Sequence, residues 1–315
     1  MQNVIKCIYP KIRRIPQNFS SKCALKSELY ENKDSNIHVL SVVCGSHHLN
    51  FSPYDSALVL DLLLTNHNKS NGSCKSIDKN TSDSNKKFKS HTLYKPAITR
   101  VVDSVINYRS ELLPYFFKKF SELHEIGALR SIIFVIVDSK SLPNYNINAL
   151  IEFCYLTSFH IPSSCFSDQK HSDYKLYNSF YEELVDNITK LINNHCLNKV
   201  LLYKLLYSLS RIPFKLDHKR LFKLVFNKLT EVLSNNYWES KYLIQIYESL
   251  YKLELLDQRT LFLIYRNIEL VVFELNPRDL KSLLSISSKL DDSLSKKLTK
   301  VANEKLALYN KLNVK

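Results

Sequence analysis

In the last 120 or so residues of this 315-residue chain, a pair of apolar stripes at helical spacing returns about every 40 residues. Leu202, Leu205, Leu206 and Leu209 form one stripe; after a turn holding Pro213 and Asp217, Leu221, Leu224, Val225 and Leu229 form its companion. The arrangement returns as Leu243, Ile246, Tyr247 and Leu250, then, past Asp257, as Leu261, Ile264, Tyr265 and Ile268. A further copy begins at Leu280, Leu283, Leu284 and Ser287 and closes with Leu294, Leu298, Val301 and Lys305. Steps of three and four place each set on one face of a helix. A unit of two such helices cannot bury its apolar face alone and must stack on its neighbours. The expectation is an all-α fold: an α-solenoid of stacked antiparallel helix pairs with a period of about 37–41 residues.

Glycine narrows the function classes. Only Gly45, Gly72 and Gly127 occur, whereas phosphate-cradling loops need several glycines close together so that backbone N–H groups can approach a nucleotide. No Walker A loop, dinucleotide-binding turn or kinase glycine loop is present, no cofactor is expected, and the chain reads as a non-enzyme. The seven cysteines form no C-x-x-C pair and read as reduced thiols, with Cys154 and Cys196 expected as small hydrophobes on helix faces. Cys44-Gly45-Ser46-His47-His48, with His38 and Asp55 nearby, lacks an orienting group and an oxyanion donor, so neither catalysis nor metal binding is assigned to it. Glu182-Glu183 and Asp291-Asp292 read as helix-start acids.

Five segments are expected. Residues 1–27 carry Lys6, Lys11, Arg13, Arg14, Lys22 and Lys26 with no acid, the pattern of an organellar transit peptide; a mitochondrial matrix address is expected, with the apicoplast as the alternative. Residues 28–65 form an N-terminal helical segment, with a buried helix that begins at the cap Ser52 with Pro53 at its first position. Residues 66–92, rich in Asn, Ser, Lys and Asp, read as a disordered polar insertion. Residues 93–195 hold degenerate helical repeats, in which the β-branched run Ile132–Val137 is read as helix rather than strand, and residues 196–315 hold the better-defined ones. The apolar runs are far shorter than the roughly 20 residues of a membrane-spanning helix, so no span is expected.

The segment Glu274-Leu275-Asn276-Pro277-Arg278-Asp279-Leu280-Lys281-Ser282-Leu283-Leu284-Ser285-Ile286-Ser287-Ser288-Lys289-Leu290 resembles the repeat unit of organellar helical-repeat proteins of the heptatricopeptide and RAP-associated type, prominent in apicomplexan parasites. Ser240 to Asp257 fits the unit more loosely through Leu243, Ile246, Leu250 and Leu253. Ser287 stands where the unit often has an apolar residue, and no RAP domain is evident. The resemblance implies binding of organellar RNA, in rRNA or mRNA processing, stability or ribosome assembly.

Charge agrees with that implication. The formal net charge is +14, and from Cys196 to Lys315 there are 21 Lys/Arg against 12 Asp/Glu. Lys215, Lys219 and Lys223 are spaced to form one basic stripe, and Arg211, Arg220, Arg259, Arg266 and Arg278 add guanidinium groups suited to phosphates or unpaired bases. These eight are the candidate RNA-binding residues. The other reading is an ordinary solvated face, in a chain whose Lys-, Asn- and Ile-rich composition also fits AT-rich coding. Tyr203, Tyr207, Tyr242, Tyr247, Tyr251 and Tyr265 are expected chiefly in packing, with base stacking as the alternative. Trp238 is expected to pack. A second function class stays open: a protein–protein scaffold, such as a subunit of a mitochondrial ribosome or respiratory complex.

Overall fold

The computed structural model describes residues 35–45, 52–72, 91–107, 112–162, 164–167, 170–212, 219–235 and 238–312, together with Leu29 and Lys89. The transit-peptide segment 1–27, most of the polar insertion, the histidine pair His47-His48 and Lys215 lie outside the described residues. The chain divides into two compact units, Met1–Ser141 and Leu142–Lys315. Among the described residues both are helical throughout, and no helix is long and apolar enough to cross a membrane.

The first unit contains α1 (Asn36–Gly45), α2 (Pro53–Gly72), α3 (Tyr94–Asn107), α4 (Leu113–Glu122) and α5 (Ile126–Asp138). The β-branched run is thus helix, as its context suggested. Helices α1, α3 and α5 pack side by side as one layer, and α2 packs on α4 as the other. Ser52 and Asp55 close the start of α2 reciprocally: each backbone N–H donates to the other's side chain, at 3.0 and 3.2 Å. Asp61 on α2 then accepts from Lys119 at 2.7 Å and from Tyr115 at 3.1 Å, both on α4.

The second unit is the stack that the apolar stripes predict, and it starts one pair earlier than the clearest stripes, at Leu142. Its helices are α6 (Ile147–His160), α7 (Tyr174–Leu191), α8 (Lys199–Arg211), α9 (Lys219–Asn235), α10 (Ser240–Lys252), α11 (Gln258–Val271), α12 (Pro277–Ser287) and α13 (Ser293–Leu312). Helices α6, α8, α10 and α12 pack in succession as a first layer; α7, α9, α11 and α13 do so as a second. Each first-layer helix also packs on the helix that follows it, so the unit is four stacked pairs. The starts of α8, α10 and α12, at residues 199, 240 and 277, reproduce the expected period. The step from residue 147 to 199 is longer because a one-turn helix, Ser164–Ser167, is accommodated between α6 and α7.

The repeat is encoded at the starts of the first-layer helices. Asn146, Asn198 and Asn276 cap α6, α8 and α12, each side-chain oxygen accepting a backbone N–H at 2.9 Å. One residue earlier stand Tyr145, Leu197, Trp238 and Leu275, and four residues after the cap position stand Leu150, Leu202, Leu243 and Leu280, all four of these leucines fully buried. These are the two positions of a hydrophobic staple, which fixes the angle at which the chain enters a helix. Trp238, fully buried, occupies this place before α10.

A second recurring feature is a buried hydroxyl near the end of each first-layer helix. Thr157, Ser208, Ser249 and Ser287 are at most 2% exposed, and each donates to the carbonyl four residues back. That bond satisfies the hydroxyl internally, so a small side chain can sit between closely packed helices at no polar cost. Ser249 also accepts from Ser210 of α8, and Thr299 of α13 bonds Ser287. Ser287 is therefore the local form of a feature shared by all four pairs.

Three expectations change. Helix α2 continues to Gly72, so residues 66–72 of the expected polar insertion are helical. Cys196 is exposed, because it lies in the turn between a 3-10 turn at Ile192–Asn194 and the cap Asn198, while Cys154 is fully buried on α6 as expected. Glu182 and Glu183 lie in the middle of α7 rather than at its start; Asp292 does open α13, accepting from the Ser295 N–H at 2.9 Å.

Candidate nucleic-acid interface

The seven candidate residues that are described, all but Lys215, do not share one layer. Arg211 ends α8 and Arg278 lies in the first turn of α12, both in the first layer. Lys219, Arg220 and Lys223 open α9, and Arg259 and Arg266 lie on α11, in the second. Arg211, Arg220, Lys223, Arg259, Arg266 and Arg278 are all exposed.

The second layer is where positive charge accumulates. Helices α9, α11 and α13 together carry eleven Lys/Arg and three Asp/Glu. Apolar residues dictate which way these cations point. On α11 the buried set is Leu261, Ile264, Ile268 and Val271, so at about 100° per residue Arg259, Phe262, Arg266 and Leu270 fall on the opposite, outward side. On α9 the buried set Leu221, Val225, Leu229 and Leu233 turns Arg220 and Lys223 outward in the same way. Helix α13 adds Lys296, Lys297, Lys300 and Lys311, all exposed, of which Lys296 pairs with Asp291 at 2.7 Å. The sequence reading missed the four α13 lysines, although their spacing away from Leu298 and Ala302 is the same signal that marked Lys219 and Lys223.

It also missed the aromatic residues of this layer. Phe262 is 53% exposed, and Phe273, in the 3-10 turn that ends α11, is 83% exposed. The Lys305 amine lies 5.2 Å from the Phe273 ring centroid and 5.6 Å from that of Tyr309, and it donates to the Val272 carbonyl at the end of α11. Partial burial lowers the pKa of this amine, with Glu274 opposing.

Five of the six candidate tyrosines, Tyr203, Tyr207, Tyr242, Tyr247 and Tyr251, fall in the first layer instead, whereas Tyr265 lies on α11 in the second. Tyr155 lies 6.2 Å from Tyr203 and 5.7 Å from Tyr207, and Tyr203 lies 5.0 Å from Tyr242, which links α6, α8 and α10 through ring contacts. Lys204 stands 5.1 Å from the Tyr155 centroid and Arg211 5.3 Å from that of Tyr207. Tyr203 is 6% exposed and Tyr247 fully buried. Burial, then the hydrogen bond with Tyr155, pushes Tyr203 far above the ordinary tyrosine value. Packed edge-on or tilted against one another, with cations over Tyr155 and Tyr207, the Tyr203, Tyr207 and Tyr242 rings serve packing, the main expectation for them.

Among the described residues no group of three or more His, Cys, Asp or Glu side chains is placed to hold a metal ion. Of the cysteine–histidine segment, Cys44 donates to the Leu93 carbonyl at 3.5 Å, and Asp55 is committed to the start of α2. Comparison of the chain with protein-family models and with curated proteins finds no match to either.

Proposed function

We propose that this chain is a non-enzymatic organellar helical-repeat protein that binds RNA on the outward face of its second helix layer, acting in mitochondrial rRNA or mRNA processing, stability or ribosome assembly. The observation that carries the reading is the charge of α9, α11 and α13, eleven cations against three acids on adjacent helices. A surface of that composition gains free energy by releasing counterions from a polyanion. The mitochondrial address rests on the acid-free, Lys/Arg-containing residues 1–27, and the family assignment on the Glu274–Leu290 unit.

The test is fluorescence anisotropy of the full chain with an AU-rich single-stranded RNA at rising salt. Phosphate-driven binding gives a linear fall of log affinity with log salt, at about 0.7 per phosphate neutralised on a single strand. No binding at low salt excludes the proposal.

A second reading, a scaffold within a mitochondrial ribosome or respiratory complex, is favoured by Leu270 and Leu308, 63% and 57% exposed in the same layer. Co-purification with a large assembly that survives ribonuclease is its signature.

A further inference from the structure

Exposed phenylalanine is the least expected residue type in a layer so rich in lysine and arginine, because a ring left in water forgoes about 1.5–3 kcal/mol of burial. Yet Phe262 and Phe273 share one outward stripe with cations, in the order Arg259, Phe262, Arg266, Leu270, Phe273, with Glu269 on the same face and Lys305 against the last ring. A duplex offers such rings nothing, since its base faces are hidden in the stack and its deep major groove is closed to side chains. An unpaired strand offers both kinds of group at once: phosphates for the guanidiniums and free base faces for the rings.

We infer that the occupant of this stripe is single-stranded RNA, and that Phe262 and Phe273 each stack on an unpaired base while Arg266 holds a phosphate between them and Arg259 and Lys305 hold phosphates on either side. The inference rests on the RNA-binding reading and adds the strandedness of the ligand and the residues that read it. Eleven positions at about 1.5 Å each place the rings roughly 16 Å apart along the helix, several times the 3.4 Å stacking repeat. The two rings therefore serve separate nucleotides, with Arg266 between them.

The experiment compares the full chain with the double variants F262L/F273L, which keep the apolar side chains but remove the rings, and F262W/F273W, which keep a stacking face. Anisotropy is read with a labelled 20-nucleotide oligouridine and with a blunt RNA duplex of equal length; circular dichroism confirms that each variant is folded. The expected result is tighter binding of the single strand, a loss of roughly five- to hundredfold per ring in the leucine variant with the salt slope unchanged, and retention in the tryptophan variant. Leucine variants that bind the single strand like the parent chain overturn the inference while leaving RNA binding intact, and so does equal affinity for the duplex. Loss of a co-purifying protein from the leucine variant, with oligouridine affinity unchanged, identifies the stripe as a protein face and overturns it as well. No RNA binding by the parent chain at low salt removes the underlying reading itself.

Discussion

Lys204 of α8 donates to the carboxylate of Glu152 on the neighbouring helix α6, with side-chain exposures of only 22% and 11%. The amine also faces the Tyr155 ring, so one contact ties the first two pairs of the stack together. Both charges are largely removed from water, and each depends on the other. Lys204→Met alone should cost about 2–3 kcal/mol, since it strands the carboxylate, whereas Glu152→Leu with Lys204→Met should be within about 1 kcal/mol of the parent. Urea denaturation followed by circular dichroism measures both; equal costs for the single and double variants would show that the pair is not coupled.

His124, Lys140 and Glu254 adopt left-handed backbone, at φ 56°, 48° and 56°. Each follows a helix and lets the next N–H reach back to a carbonyl five residues earlier, as in Leu255 to Leu250 at 2.9 Å, Glu125 to Phe120 at 2.9 Å and Ser141 to Ile136 at 3.2 Å. Glycine usually fills this place, because a side chain there costs about 1–2 kcal/mol. His124→Gly, Lys140→Gly and Glu254→Gly should each raise stability by about 0.5–1 kcal/mol after the entropy cost of glycine is deducted, read as an upward shift in thermal midpoint. Alanine at the same positions should give no such gain.

The caps of the repeat differ in quality. Asn146, Asn198 and Asn276 close their helices, but at the matching place before α10 Glu239 makes no side-chain cap bond. Asn276→Ala should cost about 1 kcal/mol, and Glu239→Asn should add a comparable amount. Chemical denaturation of the two variants reads both signs.

These features show what could be read in advance and what could not. The pairing and the period follow from apolar spacing, because burial is what orders a helix in a stack, whereas the helical state of Ile132–Val137 was legible only from the helices around it. The cap at Asn276 is visible as Asn-Pro before an apolar stripe. The layer of each cation was not visible from a list of basic residues: Arg211 and Arg220 are nine positions apart yet belong to opposite layers, since one ends α8 and the other opens α9. The exposure of Phe262 becomes legible only once Leu261, Ile264 and Ile268 are known to point inward. The hydroxyl of Ser287 looks like a lapse in an apolar stripe until its bond to Leu283 and its counterparts Thr157, Ser208 and Ser249 are seen.

Alkaline pH should unfold the second unit cooperatively. Burial pushes the Tyr247 phenol up to about 12 and the Cys154 thiol up to about 12, from 10.0 and 9.0. Both groups are held neutral in the fold, so their contribution is fully present below the unfolded values and is lost as pH rises from about 9–10 through 12. Helical ellipticity and tyrosinate absorbance should change together in that window, and Tyr247→Phe should move the transition upward. At neutral pH a thiol reagent should modify the exposed Cys196 and spare Cys154.

The account turns on which layer meets the polyanion, and paired charge reversals decide it. Arg220→Glu with Lys223→Glu on α9 is compared with Arg211→Glu and Arg278→Glu of the first layer, by anisotropy on single-stranded RNA across salt concentrations. The account predicts that the α9 pair lowers affinity at least tenfold and reduces the salt slope by about 1 or more, while the first-layer pair leaves both near parent values. Equal effects from the two layers, or no effect from α9, would contradict it.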